Sequence, residues 1–183
     1  MTDGARTGPS IRQLSSEVVY SNSWMTLRED RIERLDGSHG VYGYLERPNA
    51  VLVMPLENDG FHLVEEYRYP MRRRSWSFPQ GFAPAPTLEE AARDELEQET
   101  GLRPSSMTLL GTIDVAHAIS TEHSNVYLAT DLTHGESVRE HTEQDMRQHW
   151  VSRTEFEQMI RTGSVRDSGS LAAYTLFLLS GHA

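Results

Sequence analysis

The chain has 183 residues, 27 acidic and 17 basic, for a formal net charge of −10. That length fits one main core with a small appendage and argues against a multidomain machine, while the negative balance disfavours a nucleic-acid partner and demands a basic pocket or a bound cation for any acidic substrate. Every basic residue is arginine and cysteine is absent, which removes lysine nucleophiles, Schiff bases, zinc–thiolate sites, cysteine catalysis and disulfides. No stretch approaches the roughly 18 apolar residues of a membrane span and the start carries no apolar leader run, so a cytoplasmic protein with no membrane partner is expected.

Residues 1–14 are polar and small and read as a mobile tail, with regular structure expected from near Val18. Residues 15–47 form an N-terminal β unit, in which Trp24 to Leu35 and Gly40 to Leu45 flank the turn signal Asp36-Gly37. The main domain, 48–183, opens with Ala50 to Pro55, a near-continuous apolar run that predicts a central buried strand. Asn58-Asp59-Gly60 turns that run into Phe61 to Tyr67.

The period changes at Thr87, which with Glu90 makes a capping box, and Gly101 stops the helix between them. Strands follow over Met107 to Val115, Asn125 to Thr130 and Met146 to Val151, with an acidic loop from Thr133 to Asp145 before the last. Thr154 and Glu157 cap a helix that ends near Gly163, and Ser170 to Ser180 reads as a packed helix. Strands, helix, strands, helices predict an α/β sandwich of mixed sheet with helices on its faces.

The first helix carries an anomaly. At about 100° per residue from Leu88, Ala91 and Ala92 define an apolar stripe, and Glu95 and Glu99 fall inside it at roughly 340° and 320°. Carboxylates at i and i+4 repel unless a positive group lies between them. Either arginines from the sheet pair with them, or a hard divalent cation such as Mg²⁺ does. Arg72-Arg73-Arg74, with Arg68 before them, can clamp phosphate oxygens or pair on the surface, and strand alternation sends Arg72 and Arg74 to one face. His117 and His123 lack a partner at ligand spacing, so a separate zinc site is not expected.

The run from Gly81 to Leu102, with Glu89-Glu90-Ala91-Ala92-Arg93-Asp94-Glu95-Leu96-Glu97-Gln98-Glu99-Thr100-Gly101-Leu102 as its helical half, resembles the Nudix box, G-x5-E-x7-R-E-U-x-E-E-x-G-U with U apolar. Glu66-Tyr67-Arg68-Tyr69-Pro70 and Trp76-Ser77-Phe78-Pro79-Gln80-Gly81 are similar to the strands that lead into the box in the ADP-ribose pyrophosphatase branch. Trp150-Val151, Glu155, Met159-Ile160, Gly163 and Asp167 resemble that branch's ending. Counted from Gly81 the box is one residue short. Pro86 and Thr87 stand where its first Glu belongs, Asp94 replaces its Arg, and Gln98 replaces the first of its paired Glu.

The resemblance implies a Nudix-type α/β/α sandwich of mixed sheet with a small N-terminal β-hairpin unit. It implies Mg²⁺, with Mn²⁺ as an alternative, held by Glu95, Glu99 and the main-chain carbonyl of Gln80. The general base would come from the late acidic loop, Glu143 first and Glu140 second, unless that loop is merely solvated. Glu122 carries over as a substrate contact beside Arg68, Arg72 and Arg74. The implied reaction is hydrolysis of the pyrophosphate bond in a nucleoside diphosphate linked to another moiety, ADP-ribose or a nucleotide sugar. The alternative is a Nudix-fold nucleotide-binding protein without useful turnover. By the same resemblance the N-terminal unit pairs with a second copy in a homodimer.

Overall fold

The computed structural model describes residues 9–82, 85–139, 143 and 145–182. They divide into two compact units, the described residues up to 48 with 116–122, and those of 49–115 with those from 123 on.

The first unit is a three-stranded antiparallel sheet of β1 (Ile11–Ser21), β2 (Thr26–Arg34) and β3 (His39–Glu46), in that order. Asp36-Gly37 does form the β2–β3 turn: Gly37 takes φ 81°, and Asp36 Oδ1 accepts from the Ser38 amide at 2.9 Å. Regular structure begins at Ile11, seven residues before Val18, so residues 11–14 of the expected tail are strand. Residues 116–122 join this unit rather than the larger one, through a parallel bridge of Leu45 with Ser120.

The second unit is a seven-stranded mixed sheet with helices on both faces. Its path is β10 (Arg147–Ser152), β5 (Gly60–Arg68), β4 (Ala50–Glu57), β9 (His123–His134) and β8 (Leu102–Asp114), with β6 (Arg73–Ser77) on β5 and β7 (Gln80–Gly81) on β4. Only β4 and β9 run parallel; the remaining pairs are antiparallel. The apolar run in β4 reflects burial on both faces. Val51 and Val53 pack with Ala91, Ala92 and Leu96 of α1 (Leu88–Thr100), whereas Leu52 and Met54 pack with Phe156 of α2 (Arg153–Thr162) and Ala173, Tyr174 and Phe177 of α3 (Ser168–Leu179). Phe61 centres that second layer, edge-on to Phe78, Phe156, Tyr174 and Phe177 at 5.4 to 6.0 Å.

Both ends of α1 behave as the sequence requires. Thr87 accepts from the Glu90 amide at 3.2 Å and its hydroxyl donates to the Glu90 carboxylate at 2.8 Å. Gly101 closes the helix at φ 74°, where a side chain would be strained and would meet the Gly135 carbonyl. Among the described residues no helix is long and apolar enough to cross a membrane.

Candidate active site

The two carboxylates in the apolar stripe of α1 are both buried, Glu95 at 8% exposure and Glu99 at 3%. Gly81 on β7 makes room for the first, because a Cβ at that position would fall within the Glu95 carboxylate. Gln80 precedes it and opposes Leu52 on β4, so β7 carries the strand backbone onto α1. Glu143 completes the group: one carboxylate oxygen from each of Glu95, Glu99 and Glu143 lies within 4.8 Å of the others.

Residues Val138 and Arg139 reach carbonyls in the last turn of α1. The Val138 amide donates to the Gln98 carbonyl at 3.0 Å, and Arg139 donates to the Glu99 carbonyl at 2.9 Å and the Met146 carbonyl at 2.6 Å. Arg74 ties Asp145 to β5, with four bonds to Glu65 and Asp145 at 2.5 to 2.9 Å. Glu140 lies outside the described residues.

Electrostatics set this cluster apart. Burial, then repulsion by Glu95, Glu143 and Glu66, pushes the Glu99 carboxyl well above the ordinary carboxylate range, and Arg68 only partly offsets it. Glu66 is also raised, by burial first and then by Glu143 and Asp145 against the pull of Arg68. Oε2 of Glu99 is buried with no hydrogen-bond partner among the described residues. A buried carboxylate oxygen left unpaired beside two further carboxylates is a costly arrangement in a metal-free chain. Three hard oxygen donors around that orphan atom suit a small divalent cation.

The remaining candidates scatter. Arg68 pairs with Glu66 at 2.5 Å and lines a cavity of about 380 Å³ with Arg73, Ser75, Ser77, Arg166 and Asp167. Arg72 precedes β6 rather than alternating along it: Tyr69-Pro70-Met71 form a 3-10 turn, and Arg72 ends that turn in the left-handed region with its guanidinium 4.5 Å over the Tyr69 ring. Arg72 and Arg74 therefore share no strand face, and Arg73 instead lines the Arg68 cavity. Glu122 belongs to the first unit, where it pairs with Arg47 at 2.9 Å and burial raises its carboxyl. Arg93, one place early against the box pattern, pairs with Glu89 at 3.0 Å and with the Pro104 carbonyl at 2.7 Å, while Asp94 is exposed.

Two residues of the cluster's surroundings escaped the sequence reading of the site. Glu66 could have been found from its i, i+2 spacing to Arg68 on one strand face; Arg139 has no local signal, since it acts through main-chain carbonyls.

Known proteins share this arrangement of chain. The NUDIX domain pattern matches residues 46–173. The chain belongs to the Nudix family. Residues 11–45 match the nucleoside diphosphate sugar hydrolase N-terminal domain. The ADP-ribose pyrophosphatase of Mycobacterium tuberculosis is 31% identical over 164 residues, 87% of this chain and 79% of that protein. ADP compounds hydrolase NudE of Escherichia coli is 27% identical over 122 residues, covering 65% of this chain and 66% of the relative. A crystal structure of an ADP compounds hydrolase superposes with a TM-score of 0.85 at 22% identity, over 98% of this chain and 99% of that one, and so shares the fold. As a Nudix hydrolase the chain is an enzyme of pyrophosphate hydrolysis, in a family that generally works with divalent metal.

Proposed function

We propose that this Nudix hydrolase cleaves the pyrophosphate bond of ADP-ribose or a related nucleoside diphosphate sugar with Mg²⁺, or Mn²⁺ in its place. The observation that carries the reading is the buried Oε2 of Glu99, without a hydrogen-bond partner among the described residues, in a cluster with Glu95 and Glu143. Glu95, Glu99 and the main-chain carbonyl of Gln80 would hold the metal. A divalent ion there supplies charge neutralisation for pyrophosphate oxygens and a lowered pKa for the attacking water.

The chain's own groups do the rest. Glu143 is half-buried at the cluster edge and is the group within reach to take the water's proton, with Glu140 the second candidate from the same loop. Arg68, Arg73 and Arg166 converge on one cavity and suit the substrate's phosphate oxygens. Arg74, its donors engaged by Glu65 and Asp145, positions the loop, and Arg72 and Glu122 remain candidate contacts for the rest of the substrate. The likeness to the mycobacterial ADP-ribose pyrophosphatase supports the choice of substrate class.

A homodimer belongs to the same reading. β1 is an 11-residue edge strand with every residue exposed, and Ile11, Leu14, Val18, Val19 and Tyr20 offer it to a second copy.

The test is hydrolysis of a panel of ADP-ribose, nucleoside diphosphate sugars, dinucleoside polyphosphates and NADH, with Mg²⁺ or Mn²⁺, beside Glu99→Gln. Metal-dependent turnover of ADP-ribose or a nucleotide sugar that collapses in Glu99→Gln supports the reading. Absence of turnover with nucleotide still raising the melting temperature would replace it with a binding protein on the same scaffold.

A further inference from the structure

A second group of metal-ligand side chains lies in the same sheet, away from α1. Glu57 ends β4, His62 follows on β5 across the Asn58-Asp59 turn, and His134 ends β9 beside β4. Oε2 of Glu57 is 3.1 Å from Nε2 of His62, and Oε1 is 3.0 Å from Nε2 of His134. One ligand atom from each of the three lies within 4.8 Å of the others.

We propose that Glu57, His62 and His134 form a binding site for a divalent transition-metal ion of the Zn²⁺ type, separate from the carboxylate cluster. The donor set decides the class of ion: two imidazole nitrogens and one carboxylate suit Zn²⁺, Co²⁺ or Ni²⁺ and not Mg²⁺. The two carboxylate–imidazole distances of 3.0 and 3.1 Å, one to each oxygen of Glu57, are near the roughly 3.3 Å between ligands that lie about 2.0–2.1 Å from a tetrahedral ion. Both rings aim Nε2 at the one carboxylate, with centroids 5.7 Å apart and planes at 67°.

The surroundings are those of a supported site. The amide nitrogen of Gln148 on β10 lies 3.3 Å from Nδ1 of His62, and with that carboxamide flipped its oxygen would accept from Nδ1–H and leave Nε2 to a metal. Trp150 Nε1 donates to the Glu57 carbonyl at 3.0 Å and anchors the strand end. His134 is 58% exposed, which gives an ion an entry path and leaves a fourth position for water.

The centre is remote from the reaction. Leu52, opposite Gln80, is five residues up β4 from Glu57, roughly 17 Å of extended strand. An ion here would tie the β4–β5 hairpin to the end of β9. Sequence gave no sign of it, because the ligands span residues 57 to 134 and no two share helical spacing.

Calorimetric titration of the full chain with ZnCl₂, in excess Mg²⁺ so that the carboxylate cluster is occupied, tests the proposal. The intact chain is expected to take up one Zn²⁺ at micromolar affinity or tighter, and His134→Gln and Glu57→Gln each to weaken it at least tenfold. Glu99→Gln should leave that uptake unchanged, and Co²⁺ in place of Zn²⁺ should show visible absorption bands of an imidazole-ligated ion, absent in His134→Gln. Because His134 is exposed, its glutamine variant folds. No uptake by the intact chain, unchanged affinity in His134→Gln or Glu57→Gln, or loss of uptake in Glu99→Gln would each overturn it.

Discussion

The backbone of Gly81 stands directly against the carboxylate of Glu95, in space that a Cβ would take. Gly81 is therefore required by close approach of strand to helix and not by a turn: its φ is not in the left-handed region. Gly81→Ala is expected to displace the Glu95 carboxylate by about an ångström and lower kcat on the preferred substrate by about 100-fold. Circular dichroism should stay native, because β7 pairs with β4 at its edge. An alanine chain with intact turnover would show that Glu95 need not hold its place.

Glu99 gives the pH dependence of the metal-stripped chain. Its carboxyl is raised well above 4.5 by burial and by Glu95, Glu143 and Glu66. A group whose folded pKa is raised contributes stability that is fully present below the unfolded value and lost as pH rises through the folded value. Glu99 should thus add a fall in the melting temperature of the stripped chain as pH rises above about 4.5, a component missing in Glu99→Gln. Added Mg²⁺ should flatten the profile of the parent chain. Equal slopes in the two stripped chains would exclude Glu99 as the source.

The parts of the site that were legible in the sequence share one property: they repeat at the period of a single element. Glu95 and Glu99 fall in the α1 stripe by angle alone, and β4 reads as buried because both of its faces are covered. What was hidden depends on partners distant in sequence or on local geometry that breaks a period. β1 is exposed on both faces and carries register shifts near Gln13 and Val18, so it shows no clean alternation. Pro70 opens a 3-10 turn that removes Arg72 from the strand where alternation put it. Arg139, which reaches the Glu99 carbonyl, and the His62 and His134 pair act across gaps of tens of residues, where spacing carries no signal.

Arg74 is expected to matter through the loop and not through substrate. It spans Glu65 and Asp145, two residues beyond Glu143, with four bonds. Arg74→Ala should lower kcat about tenfold with KM changed less than threefold, since loosening Asp145 displaces Glu143, the proposed base, while leaving the Arg68 cavity intact. Arg72→Ala, which removes the stacking contact on Tyr69 together with a candidate substrate contact, supplies the comparison and should raise KM while staying within twofold in kcat. A rise in KM with unchanged kcat for Arg74→Ala would reassign Arg74 to substrate binding.

The first unit offers a test of assembly that does not touch the carboxylate cluster. Its edge strand β1 leaves Val18, Val19 and Tyr20 each more than half exposed, at 52%, 55% and 52%. A strand of that length with apolar side chains and an open edge is an aggregation hazard unless a partner covers it, and a second copy of the same strand is the partner of matching chemistry. Light scattering should give twice the mass of the 20.8 kDa chain. Val19→Asp, which places a charge in the middle of that surface, should shift the equilibrium to monomer at micromolar concentration while circular dichroism stays native. A parent chain that is monomeric at those concentrations would remove the dimer from the account and leave β1 an uncovered edge.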